Sequence, residues 1–147
     1  MSISELVSRI GQANANAAFI ITSFKGNPGV LQIVMPDGRT TYDIRIESGI
    51  PMKEVNPNRK NRVSNLSFIA ASEDSDENTI DFARHLASLL ETGFILIKEV
   101  SELSTESTGE AFMFLRNLNN RILWTCHNAA DGEEIGPRIR ISSIRRL

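Results

Sequence analysis

Two histidines and one cysteine limit the chemistry open to this chain. Cys126 and His127 are adjacent. Neighbours on a strand point to opposite faces, so these two cannot close on one metal ion or act together as a thiol–imidazole pair. The lone thiol, behind Trp124, reads as a small buried hydrophobe. His85 follows Asp81 by four residues, a helical spacing at which side chains meet. Such a pair could be an oriented general base, but with no nucleophile in view it reads better as a surface ion pair. The glycines build neither Gly-x-Gly-x-x-Gly nor Gly-Lys-Ser/Thr, so no phosphate cradle is expected. No cofactor is expected and no His/Cys metal site. A carboxylate site for magnesium stays open, because the chain has 18 acids.

Pro36-Asp37, with Asp43-Ile44-Arg45 on the adjoining strand, resembles the carboxylate layout of restriction-type nucleases. With Glu47 added, the resemblance implies a metal-dependent nuclease-like enzyme. Against it, the spacing is short, Arg45 stands where that layout has lysine, and Pro-Asp-Gly is first of all a turn.

The charges are distributed unevenly. Residues 138–147 hold Arg138, Arg140, Arg145 and Arg146 and no acid. Acids gather in Glu73-Asp74-Ser75-Asp76-Glu77 and between Glu99 and Glu110, in a chain of net charge −2. Opposed patches of this kind point to recognition of something charged. Asn56-Pro57-Asn58-Arg59-Lys60-Asn61-Arg62 sets Arg59, Lys60 and Arg62 among amide side chains, a composition able to reach phosphates and base edges. Arg138 and Arg140 fall on one face of a strand and could track a nucleic-acid backbone. The same Arg-Ile-Arg-Ile pattern also suits an edge strand whose charges prevent unwanted pairing. Aromatic platforms for stacking are scarce, and the pI near 5.7 confines any nucleic-acid binding to a local patch.

The elements that must position these groups follow from periodicity. Residues 2–11 read as a helix with Ile3, Leu6, Val7 and Ile10 on one stripe, Ser2 as its cap and Gly11 at its end. This helix either covers its own sheet or packs on another subunit. Residues 17–24, 30–35 and 39–47 form an antiparallel meander, the last with Tyr42, Ile44 and Ile46 opposed to Asp43, Arg45 and Glu47. Residues 49–65 read as a long loop, 66–71 as a strand, and 76–92 as the best-marked helix, capped by Ser75 or Asp76 and closed by a left-handed Gly93. A strand follows at 94–100. Residues 105–120 fit a helix or a hairpin pairing 111–116 with 121–126; helix is preferred on the spacing of Ala111, Leu115 and Leu118. Residues 122–126 and 138–144 are strands around an acidic loop.

The chain is thus expected to be a single α+β domain over residues 1–147, with a mostly antiparallel sheet of six or seven strands and two or three helices packed on one face. At 41% apolar it can fill a core, and its single cysteine fits a reducing compartment. It shows neither a secretion signal nor an apolar run long enough to span a bilayer, so the expected setting is cytoplasmic, without membrane contact. The expected function is a non-catalytic binding or assembly module, engaging a protein partner or its own copies, as in a homo-oligomer, through segregated charged patches. The alternative is a nucleic-acid binder using the 56–62 loop and the C-terminal arginines.

Overall fold

The computed structural model describes residues 2–57, 65–100 and 110–147. The cations Arg59, Lys60 and Arg62 therefore lie outside the described residues. The elements are α1 (Ile3–Ala13), β1 (Ala18–Phe24), β2 (Asn27–Val34), β3 (Thr40–Ile50), α2 (Met52–Val55), β4 (Asn65–Ser72), α3 (Glu77–Leu89), β5 (Gly93–Ile97), β6 (Glu110–Leu118), β7 (Arg121–Asn128) and β8 (Arg138–Arg146).

The strands form one eight-stranded sheet in the order β1-β2-β3-β8-β7-β6-β4-β5. The β1–β2–β3 meander is antiparallel as expected, and β8 closes against β3 and β7. The pairings of β4 with β5 and with β6 are parallel; for β5, α3 returns the chain to the end from which β4 began.

The expected helix over 105–120 is overturned. Its described part is β6, paired with β7 from Ala111↔Asn128 to Leu118↔Arg121, and it supplies the eighth strand. Helical spacing misleads here because both faces of β6 are buried: Leu115 joins the core beneath α3, while Phe112 and Phe114 join a second cluster on the opposite face. The turn between the two strands is Asn119-Asn120, with φ of 50° and 60°. Two positive φ angles are what a two-residue hairpin needs, and asparagine tolerates them.

α3 covers one face of the sheet. Its Phe82, 1% exposed, stands edge-on between Tyr42 at 5.3 Å and Trp124 at 5.8 Å. Asp76 caps it, accepting from the Thr79 N–H at 2.8 Å. The left-handed residue at its other end is Glu91, not Gly93, which already begins β5. The bonds from Glu91 N to Ser88 O and from Thr92 N to Ala87 O end the helix one turn earlier than the glycine suggested. α1 runs past Gly11 to a left-handed Asn14 and lies against its own chain: Ile10 is 4% exposed. A Cβ on Gly38 would stand 3.5 Å from both Ile3 and Val7. α2 is a single turn inside the expected loop.

Candidate nucleic-acid interface

The face turned away from α3 is apolar at one end and cationic in the middle. At the β4–β6 end, Phe112 stacks between Phe68 at 4.9 Å and His127 at 5.2 Å. The 128–136 loop folds back over this end through the Asn128 N–Glu133 O bond and the His127–Glu134 bridge.

The middle is set by strand register. Arg116 of β6 stands opposite Leu123 of β7, and Leu123 opposite Arg140 of β8. Directly opposed residues point to one face, so the three form a row across the sheet. Two strand spacings separate the arginines, about 10 Å. Leu123 between them is only 7% exposed, and long arginine stems are suited to shielding such a residue. Alternation along the strands adds Arg121, Arg138 and Arg45 to this face, and the register shift between Ile141 and Ser143 brings Arg145 onto it, opposite Asp43.

Three carboxylates share it, and each holds an arginine. Asp43, 8% exposed, lies 3.4 Å from Arg45 Nε and 3.5 Å from Arg145 Nη2. Glu47 takes Arg121 across the intervening β8. Glu134 grips Arg138 through both of its oxygens, at 2.7 and 3.0 Å, which raises the arginine pKa further. Around the row, arginines thus outnumber these three carboxylates, while the adjoining groove adds Asp74 and Glu99 beside Lys98. Among the described residues, Arg116 and Arg140 carry no ion pair. The carboxylates fix the other guanidinium groups in place, and the two unpaired ones are open to an anion.

Beside the row a groove of about 570 Å³ is lined by Lys98, Phe114, Arg116, Thr125, His127 and Glu134. A smaller cleft of about 220 Å³ lies between Glu47, Arg121 and Arg140. The two meet at Leu118, beside the hairpin turn. In the groove, His127 is 8% exposed, with Nε2 2.8 Å from Thr125 Oγ1 and Nδ1 3.0 Å from Gly132 O. A carbonyl only accepts, so Nδ1 carries the hydrogen, and the Thr125 hydroxyl donates to Nε2. Burial lowers the His127 pKa, and the imidazole is neutral.

Of the arginines singled out in the sequence, the structure brings Arg138, Arg140 and Arg145 onto one face. It leaves Arg146 on the other, near Tyr42 and His85. Segregated charge patches are a correction. Arg138 and Arg145 are both tied to carboxylates, because register places acids of β3 and of the 128–136 loop beside β8. Sequence reading missed Arg116, Arg121 and Arg45. For Arg116 the signal was available in the Asn-Asn turn, which makes 110–128 a hairpin and fixes the facing of every residue in it.

The other candidates resolve by position. Asp37 accepts from the Arg39 backbone N–H at 2.9 Å, and this bond lowers its pKa. Asp37, Asp43 and Glu47 are thus each engaged by arginine, and no group of three or more potential metal ligands occurs among the described residues. His85 Nδ1 lies 2.9 Å from Tyr42 Oη and 3.0 Å from the Asp81 backbone O, while the Asp81 carboxylate pairs with Arg84. The expected His85–Asp81 ion pair is therefore replaced by a bond to the sheet. Cys126 is partly buried, and burial pushes its thiol up to about 11, so it is protonated and inert near neutrality.

No protein-family model matches the chain, and no curated protein sequence matches it. Solved structures do. A probable ribosomal biogenesis protein from Aeropyrum pernix K1 aligns over 96% of this chain and 75% of its own, with a TM-score of 0.65 and 17% identity. Mil, an archaeal Imp4-like protein, aligns over 100% of this chain and 78% of its own, with a TM-score of 0.57 and 15% identity. At these identities the likeness is one of fold. Among the described residues, no helix is long and apolar enough to cross a membrane.

Proposed function

We propose that this chain is a non-catalytic RNA-binding assembly module, and that the face of its sheet turned away from α3 takes the phosphate backbone. The observation that carries this reading is the row Arg116–Leu123–Arg140: two arginines without ion pairs among the described residues, on strands about 10 Å apart, in the part of the face where arginines outnumber carboxylates. The fold shared with a ribosomal biogenesis protein supports the class of ligand. The buried Asp43 and the Glu134 carboxylate hold Arg45, Arg145 and Arg138 ready, which cuts the entropy lost when they meet a strand.

The test is a salt titration of a single-stranded RNA oligonucleotide, wild type against the R116Q/R140Q double variant. Each phosphate neutralised contributes about −0.7 to the slope of log K on log salt. The double variant should flatten the slope by about 1.4 and leave the melting temperature unchanged, since both side chains are exposed. An unchanged slope, or no RNA binding by the wild type at low salt, sinks the reading and returns the face to a protein partner of opposite charge.

A further inference from the structure

Arg146 has no place in this interface, and its surroundings point elsewhere. At the end of the sheet where Tyr42 opposes Arg146, a pocket of about 350 Å³ opens beneath the last turns of α3. This is the lower end of the size range of small-molecule sites, roughly 300–1,000 Å³. Arg39, Tyr42, His85, Ser88 and Arg146 bring polar atoms to its walls, while Met35, Leu89 and Leu147 bring apolar ones.

The two guanidinium groups of the polar wall only donate. Arg146 has no carboxylate partner among the described residues. Arg39 spends Nε on Asp37, and its terminal nitrogens carry no bond among the described residues. The Tyr42 hydroxyl, on a side chain held in the core, meets His85 Nδ1 at 2.9 Å. Nδ1 also lies 3.0 Å from the Asp81 backbone O, which only accepts, so Nδ1 carries the hydrogen and Nε2 is left to accept one from a ligand. No acidic side chain lines the pocket: the two nearby, Asp37 and Asp81, are bonded to Arg39 and Arg84. The negative end of α3 is also quenched. The carbonyls of Leu86, Ala87 and Ser88 accept from Leu90, Thr92 and Glu91, and that of Leu89 accepts from Asn16 Nδ2. Two guanidinium groups with an imidazole and a hydroxyl beside them, and no acidic side chain in the lining, form a receptor for a compact dianion. The apolar wall has room for what that dianion is attached to.

We propose that this pocket is a site for a terminal phosphate group, the chemistry shared by a free nucleoside monophosphate and the 5′ end of an RNA strand. The phosphate meets Arg146 and Arg39, with His85 and Ser88 beside it, and the sugar and base lie along Met35 and Leu89. The site does not depend on the sheet face: its arginines are different ones, and AMP alone tests it.

The experiment titrates the full chain with AMP and with one RNA oligonucleotide bearing either a 5′-phosphate or a 5′-hydroxyl. Affinity is read by calorimetry, and the His85 ring resonances are followed in parallel. Each titration is repeated on R146Q, R39Q and the R116Q/R140Q variant. AMP should shift the His85 resonances. R146Q should weaken AMP at least about tenfold, R39Q by less, and R116Q/R140Q not at all. A phosphorylated strand that binds better than its hydroxyl twin, with the advantage lost in R146Q, identifies an RNA end as the ligand. Dependence on Arg146 for AMP alone identifies a free nucleotide. The site is overturned if R146Q changes the affinity of neither ligand, including the case in which neither binds, or if AMP binding is lost in R116Q/R140Q and kept in R146Q.

Discussion

One face of the sheet buries Ile33, Tyr42, Ile44, Leu115, Trp124 and Ile141 beneath α3. The other carries six arginines over much of the same strands. Both faces are built from the same backbone ladder, and they differ only in what alternate residues bring to it. On the covered face apolar area removed from water holds the fold together. At the centre of the open face the close contacts are surface ion pairs, which contribute little to stability, while the buried Phe112 and Phe114 cluster at its β4–β6 end belongs with the core. Stability and recognition should therefore be separable by face.

The largest effect belongs to the covered face. Phe82 fills the space between Tyr42 and Trp124, and Phe82→Ala should cost about 3–5 kcal/mol, or roughly 10 °C in melting temperature. Measured well below the new midpoint, RNA affinity should stay at the wild-type value. A parallel loss of affinity in the folded variant would mean that the two faces are not independent, and the comparison would fail.

Cys126 and His127 sharpen it. They are neighbours on β7, one facing each side, and burial shifts their pKa values in opposite directions: the thiol up, the imidazole down. Both stay neutral, so on the open face His127 adds no charge to the arginines at its centre. The sign for His127 follows from linkage. An unfolded histidine titrates near 6.5 and the folded one below that, so under 6.5 the unfolded state binds more protons and stability falls with pH. The slope for one proton is at most about 1.4 kcal/mol per pH unit. Between about pH 5 and 6.5, denaturant titrations should show the wild type losing stability and H127Q losing less. Equal slopes would place the wild-type loss on some other group.

How much of this was legible in the sequence depends on how each segment is buried. β3 was plain because one of its faces is wet and its residues alternate. α3 was plain because Phe82, Leu86 and the Asp76 cap obey helical geometry. β6 was misread because apolar residues on both of its faces erase the alternation that marks a strand, and with it went the facing of Arg116. The ion pairs were out of reach for another reason. Arg121 meets Glu47 and Arg145 meets Asp43 across 74 and 102 residues of sequence, and only the position of β8 between β3 and β7 brings them together. The pocket at Tyr42, His85 and Arg146 likewise joins three elements that sequence order keeps apart.

The smallest expected effect bears on what the carboxylates of the open face do. If they are there mainly to aim the arginines, removing one should loosen a guanidinium and weaken binding. If charge dominates, removing one should strengthen it. Glu47 and Arg121 are both partly exposed, so the pair holds its geometry weakly against side-chain entropy. The net charge of the face sets the long-range attraction for a polyanion. Charge should therefore win at this pair: E47Q should raise RNA affinity by about two- to fivefold at low salt, steepen the salt dependence by up to about 0.7, and leave the melting temperature within about 2 °C of wild type. Glu134 is the contrasting case, since it grips Arg138 with two bonds and is less exposed. E134Q should gain less than E47Q, because the lost aim of Arg138 offsets the added charge. Equal gains at the two sites would mean that the arginines act only as charge, and that the order imposed on them by the carboxylates plays no part in binding.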